Sequence, residues 1–317
     1  MSVSLNSDKD RSEVTNEIKT VLVLTATVGE PQFEAGQESL RLQAGVDVES
    51  FVIRSLGKAE AHQVMLEKAH SACADRVLKL DGDMVLAAPD SMLRLFQLAD
   101  VNGSPDRLSV PVFDWFTRHD LHGAHFFRPS AVTADHVEPL HTDRWLREVG
   151  GVTVRRLPNP VILHAPNPDL EQAVRYGLQR GLKLRTEGPR SPHWLTVYRL
   201  VRAARHDPAV ERSACLAAIA LVLSSEGVGV SPDHLDHGGD AFREAVEYLS
   251  QEDIQQHLAE RLLVRFGYLR SYRGLYRHPL VALAMLLAQS VRRREVSVKD
   301  VLPRVTRNNK RPGGSPV

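Results

Sequence analysis

With 317 residues, 43% of them hydrophobic and 25% charged, the chain has the length of one large domain or two ordinary ones and enough apolar material for a sizeable core. A formal net charge of +1 excludes the strongly basic balance expected of a protein with nucleic acid as its bulk partner. Only two cysteines occur, which excludes a disulfide framework; Cys73 and Cys215 lie in apolar, helix-like contexts and are expected to be buried thiols of a reducing cytosol.

Residues 1–19 are polar, mixed in charge and without a hydrophobic stretch that could act as a secretion signal, so a loose tail on a cytoplasmic protein is expected. Thr20 to Thr27 is a short apolar run rich in β-branched residues, which predicts a strand covered on both faces of a parallel sheet. Pro31 to Ala44 can form a helix and Val46 to Ile53 a second strand. Residues 58–74 predict a helix, because Ala61, Met65, Ala69, Ala72 and Cys73 recur at spacings of three and four. Val77 to Leu80 is a third strand. Asp90 to Ala99 then predicts a short helix, Leu108 to Phe113 and Gly123 to Phe127 are strand-like, and Val161 to Leu163 ends a strand at His164. Asp169 opens a helix to about Arg180, with Glu171 in the first turn where an acid suits the dipole. Alternating strands and helices imply an α/β layer structure around a mostly parallel sheet, whose ligands bind outside the carboxyl ends of the strands.

Character changes near Pro189-Arg-Ser-Pro192. Beyond it, helices are predicted at about 194–205, 208–224, 240–250, 252–266 and 279–293, with Ala and Leu at the apolar positions. The expected organisation is a tail (1–19), an α/β domain (20–188), an all-helical module (189–298) and a flexible basic tail (299–317). The apolar run Pro279 to Gln289 falls short of the roughly 20 residues that a membrane span needs. Three roles suit the module: holding an acceptor, forming a homodimer, or resting on the inner face of a membrane. For the last, Arg292, Arg293 and Arg294 are compatible with anionic lipid, although a basic helix end that suits the dipole is the simpler account.

The stretch Arg76 to Ala87 delivers two carboxylates, Asp81 and Asp83, directly off an apolar run. In an extended segment residues i and i+2 point the same way, so both would face one ligand, with Gly82 leaving room for close approach. A hard cation held by one or two carboxylates, with phosphate oxygens completing its shell, is the usual arrangement of magnesium or manganese at a phosphate. The competing reading is a strand followed by a polar turn, since Asp and Gly are ordinary turn formers.

Four segments together resemble the nucleotide-sugar glycosyltransferases of the GT-A fold, most of all the family 2 group. They are Val21 to Thr27, the helix start Gly57 to His62, the strand into Asp81-Gly82-Asp83, and Gly123 to Ser130, which resembles the strand beneath the acceptor site and contains His125. A fifth, His164-Ala-Pro-Asn-Pro168 with the helix after it, resembles the late histidine that completes the metal shell in many such enzymes. The likeness spans about residues 20–185 and leaves out the helical module.

The resemblance implies a Rossmann-like GT-A fold and metal-dependent transfer of a sugar to an acceptor hydroxyl. The donor would be a nucleotide-diphosphate sugar, a UDP-sugar first among candidates; the acceptor would be a glycan, a lipid-linked sugar or a small molecule. Asp83 would bind Mn2+ or Mg2+ directly, Asp81 the ion or the donor ribose, and His164 would be the third protein ligand, imidazole suiting manganese better. The cation would offset charge growing on the departing diphosphate. Thr25, Ala26 and Thr27 match the strand end that touches the nucleobase, and Gly57 with Lys58 the loop near the diphosphate. His62, one turn on, is a donor-site candidate. For Lys58 and His62 a solvated helix start is the alternative.

The chain departs from the family where Val52-Ile-Arg-Ser-Leu-Gly57 stands in place of a run of aspartates, which leaves the base-reading residue and the donor nucleotide open. An inverting enzyme needs a carboxylate to take the acceptor proton, and Asp143, Glu138 and Asp114 are the eligible acids. Asp143 also starts a plausible helix, Trp145 to Val149, where N-capping alone would explain it. Trp115 and Phe116, beside His119 and His122, would suit sugar stacking or core packing equally. Two other readings compete. The DxD run also fits the opening motif of haloacid-dehalogenase-like phosphatases, with Asp81 as nucleophile, although that motif normally follows the first strand and here follows the third. The scaffold could also serve as a non-catalytic binding module.

Overall fold

The computed structural model describes residues 18–54, 56, 58–132, 151–154, 157–188, 191, 193–223 and 239–258. Gly57, Glu138, Asp143, the helix expected at Trp145 to Val149, the apolar run at Pro279 and the basic tail lie outside these residues.

The chain begins β1 (Lys19–Thr27), α1 (Phe33–Arg41), β2 (Val46–Arg54), α2 (Lys58–His70), β3 (Arg76–Asp81). β1 is flanked by β2 and β3, both parallel to it. Its side chains alternate between two cores: Val21 and Val23 face one, Leu22 and Leu24 the other. On the second face Ala61, Met65, Leu66 and Ala69 of α2 close over the sheet, which is why the three-four spacing read in the sequence became a helix there. The first face is covered by Leu40 of α1 and by Met92, Leu95 and Phe96 of α3 (Ser91–Val101).

Beyond β3 the sheet is mixed rather than mostly parallel. A short strand, β4 (Met84–Leu86), follows the acidic pair at once; β5 (Arg107–Asp114) and β6 (His119–Phe127) form a hairpin; β7 (Gly151–Thr153) and β8 (Ile162–His164) complete the eight strands among the described residues. The order is β2-β1-β3-β6-β5-β8-β4, with β7 pairing β5. β6 runs antiparallel to β3, and β4 antiparallel to β8 with Met84 opposite His164. This last pairing brings a residue 80 positions downstream beside the acidic turn. Neither β4 nor β7 was expected, since three residues carry too little periodicity to announce a strand.

The helices are α4 (Leu170–Glu187), α5 (His193–His206), α6 (Val210–Leu223) and α7 (Asp240–Ser250); residues 252–258 are also helical. Their shared core joins Val174, Leu178 and Leu182 of α4 to Cys215, Ile219 and Val222 of α6, and it also takes in Phe116 and Ala165 from the α/β part. A continuous core therefore crosses residues 188 and 189. α4 and α6 approach so closely that a Cβ on Gly177 would meet the Cys215 carbonyl oxygen and lie 2.6 Å from Ala218 Cβ. Gly177→Val is accordingly expected to destabilise the fold by about 1–3 kcal/mol or more, read as a lower urea midpoint.

Cys215 is buried as expected, and burial pushes its thiol well above the ordinary value. Cys73 is exposed instead: α2 ends at His70, so the apolar stripe stops short of it. No helix among the described residues is long and apolar enough to cross a membrane.

Candidate functional site

The sequence DGD does not stay extended. β3 ends at Asp81, Gly82 and Asp83 form the turn into β4, and the two carboxylates part company. Asp81 remains in the strand register, on the same face as Lys79, whose Nζ lies 3.0 Å from Asp81 Oδ1. Asp83 turns inward to His164, with Oδ2 3.3 Å from Nε2. The extended backbone expected over residues 81–83 is replaced by a turn. Among the described residues no three His, Cys, Asp or Glu side chains surround a common point that could hold an ion. Asp81→Asn is expected to weaken any Mn2+-dependent ligand binding less than Asp83→Asn does, measured by titration calorimetry.

His164 sits at the end of β8, where its main chain is bound on both sides: Ala165 N donates to Asp83 O at 2.8 Å and Trp115 N to His164 O at 3.2 Å. Its Nδ1 lies 2.7 Å from Asp114 Oδ1. A carboxylate accepts only, so Nδ1 carries a proton and Nε2 is the atom turned toward Asp83. Burial would lower the imidazole pKa, but the charges and hydrogen bonds of Asp83 and Asp114 outweigh it and hold His164 well above the ordinary value. Burial likewise pushes the Asp83 carboxyl up, and His164 and Gln172 together bring it below the usual range.

Asp114 was an eligible base from sequence, and the structure gives it another place. It is fully buried; Oδ2 accepts from Thr117 N at 2.8 Å and Thr117 Oγ1 at 2.6 Å, while Oδ1 accepts from His164. With both oxygens occupied behind the imidazole, it orients His164 and cannot meet an acceptor hydroxyl. Of the aromatic pair, Phe116 takes the core-packing alternative. Phe116 is fully buried, stacked on Tyr176 at 4.5 Å between centroids, and Trp115 meets Phe116 edge-on, so Phe116 packs in the helical core instead of facing an acceptor. His125, 5% exposed in the middle of β6 opposite Lys79, is buried in the sheet and presents no open acceptor surface.

The strand end Thr25-Ala26-Thr27 lies beside Asp81, since Ala26 pairs with Asp81 across β1 and β3. Thr25 and Thr27 are buried, and Thr27 Oγ1 donates to Glu30 Oε2 at 2.5 Å. A Cβ on Gly82 would run into Glu30 and Thr27, so the missing side chain lets the turn lie against β1. His62 is half-buried on α2, and Lys58 begins that helix.

α4 supplies residues that sequence reasoning missed. Asp169 caps the helix by accepting from Gln172 N at 2.8 Å, and Gln172 Nε2 reaches Asp83 Oδ2 at 3.4 Å. Arg175 Nη1 lies 3.9 Å from Glu30 Oε1, and the Tyr176 ring is 5.9 Å from the His164 ring. Thr27-x-x-Glu30 and Asp169-x-x-Gln172 both carry capping-box spacing, the one sequence signal that could have found Glu30 and Gln172. Asp83 Oδ1 and Gln172 Oε1 are both buried and meet no hydrogen-bond donor. Two acceptor oxygens beside an imidazole whose far nitrogen is fixed by a carboxylate match the donor chemistry of a divalent cation, with Asp114 as the outer partner.

No protein-family model matches the chain, and no curated protein matches it. Solved structures that match include the mannosyltransferase PcManGT from Pyrobaculum calidifontis in complex with GDP-Man and Mn2+, at 12% identity over 78% of this chain and 86% of that one, with a TM-score of 0.37. Residues 1–349 of S. aureus TarS match at 10% identity over 78% of this chain and 92% of that one, with a TM-score of 0.35. A197 from STIV matches at 12% identity over 36% and 67% of the respective chains, with a TM-score of 0.26. At such identities and TM-scores these likenesses assign no role to any residue here, and the chain stands as an α/β protein whose site is defined by its own geometry.

Proposed function

We propose that the chain transfers a sugar from a nucleotide-diphosphate sugar to an acceptor hydroxyl, with a divalent cation held at Asp83 and His164. The observation that carries this reading is Asp83, whose Oδ1 is buried without a donor while its Oδ2 faces an imidazole already oriented by Asp114, at the carboxyl ends of β1 and β3. Gln172 Oε1 is the second donor-free oxygen of the set. When bound, the cation supplies electrostatic stabilisation to the leaving diphosphate.

The chain's own residues do the rest. Asp114 keeps the Nδ1 proton and aims Nε2; Thr117 holds Asp114 in turn. Gly82 admits close approach of the acidic turn to β1, where half-buried Ala26, between buried Thr25 and Thr27, is the part of the strand end proposed to meet a nucleoside. Asp81, its side chain half-exposed with Lys79 as its partner, is proposed to meet a hydroxyl of the donor rather than the ion. A base for the acceptor is sought among the acids of residues 133–150, where Glu138 and Asp143 lie.

A thermal-shift screen of nucleoside diphosphates and their sugar conjugates, with and without Mn2+, tests the reading. A rise in melting temperature with one nucleotide, seen only with metal, is the expected result. No response to any of them in either condition would sink it.

A further inference from the structure

The guanidinium of Arg212 on α6 is 2% exposed, an expensive place for a charge unless its donors are met. They are met mostly by main chain. Nε donates to Phe116 O at 3.2 Å, Nη2 to Trp115 O at 2.8 Å, and Nη1 to Asp207 O at 2.7 Å and Asp207 Oδ2 at 2.9 Å. The guanidinium carbon also stands 3.9 Å from the Trp115 ring centroid.

What it grips is the turn that follows Asp114. The same turn is tied on its other side by Trp115 N to His164 O, and it closes on itself through Thr117 and Asp114. Asp114 in turn holds His164 Nδ1. A chain of direct contacts therefore runs from the helical layer to the imidazole: Arg212, the Trp115–Phe116 carbonyls, the Asp114–Thr117 turn, Asp114, His164.

We propose that Arg212 is a positioning residue for His164, so that the helical layer fixes the imidazole that faces Asp83. The proposal rests on the reading of Asp83 and His164 as the ligand-facing pair. Lysine cannot replace Arg212, because one ammonium lacks the planar fork that serves two successive carbonyls and Asp207 at once. Outer partners of this kind typically change metal affinity about 10–100-fold when removed.

The test is proton NMR of the 15N-histidine-labelled full chain, with the His164 signal identified by His164→Gln. In the wild type, His164 Nδ1–H should give a slowly exchanging low-field signal from its bond to Asp114. Arg212→Lys is expected to lose that signal. A lysine variant that keeps the signal while its melting temperature falls would show a stability pin only and overturn the proposal. If the lysine variant does not fold, Asp207→Ala, which removes the half-exposed carboxylate that orients the guanidinium, takes its place: a broadened or shifted His164 signal supports positioning, and an unchanged one overturns it. Mn2+-dependent nucleotide binding is read separately on the wild type. Its absence counts against glycosyl transfer, while the low-field signal alone judges Arg212.

Discussion

Asp83→Ala is expected to abolish Mn2+-dependent tightening of nucleotide-diphosphate binding and to lower the transfer rate by about a thousandfold, equivalent to about 4 kcal/mol of lost transition-state stabilisation. The size follows from what Asp83 contributes. One of its oxygens is buried without a donor and the other faces His164, while Asp81 is paired with Lys79. Titration of Mn2+ into wild type and variant, with the nucleoside diphosphate that responds best in the thermal screen, measures the first effect; initial rates measure the second. A variant that still shows metal-dependent binding of wild-type strength would remove the cation from Asp83 and with it the proposed chemistry.

Asp114→Asn should produce the second-largest effect, through the tautomer of His164. The carboxylate now accepts from three donors: Thr117 N, Thr117 Oγ1 and His164 Nδ1. An asparagine has one acceptor oxygen. If that oxygen turns to Thr117, its NH2 group faces Nδ1, and a neutral imidazole must then keep its one proton on Nε2, the atom needed for a ligand. Metal affinity is expected to fall about 10–100-fold. Because a buried donor loses its partner, stability should also fall by about 1–3 kcal/mol. Urea denaturation and Mn2+ titration of the same preparation separate the two. Loss of stability with unchanged metal affinity would reduce Asp114 to a structural group.

Both variants act on Asp83 and His164, a pair that the family resemblance had joined as ligands of one ion. Asp83 was visible because an apolar strand led into it, and His164 because a short strand ended there before a capped helix. The strand pairing that joins them was not visible. β4 and β8 are three residues each, and their antiparallel pairing sets Met84 opposite His164, so the acidic turn and the imidazole are joined by main-chain hydrogen bonds across 80 residues of sequence. Strands that short carry no periodicity, and only the assembled sheet holds them.

The backbone between Asp81 and Asp83 shows the converse. Alternation in an extended chain justified one common direction for residues 81 and 83, and the backbone broke that rule at Gly82, where turn chemistry prevailed over strand extension. Trp115 and Phe116 were open between acceptor contact and core packing, and α4 decided the matter by stacking Tyr176 on Phe116.

By itself, then, the amino-acid order settled the elements whose side chains repeat at a helix or strand period over many residues: β1, β2, β3, α1 to α3 and the helices from α4 onward. Periodic burial is a local property, and each segment carries it alone. Tertiary structure decided the mixed sheet, the separation of Asp81 from Asp83, the burial of Asp114 behind His164 and the reach of Arg212 into the same turn. Those depend on long-range pairing and on the cost of leaving buried polar groups unmet, which no single stretch of sequence can express.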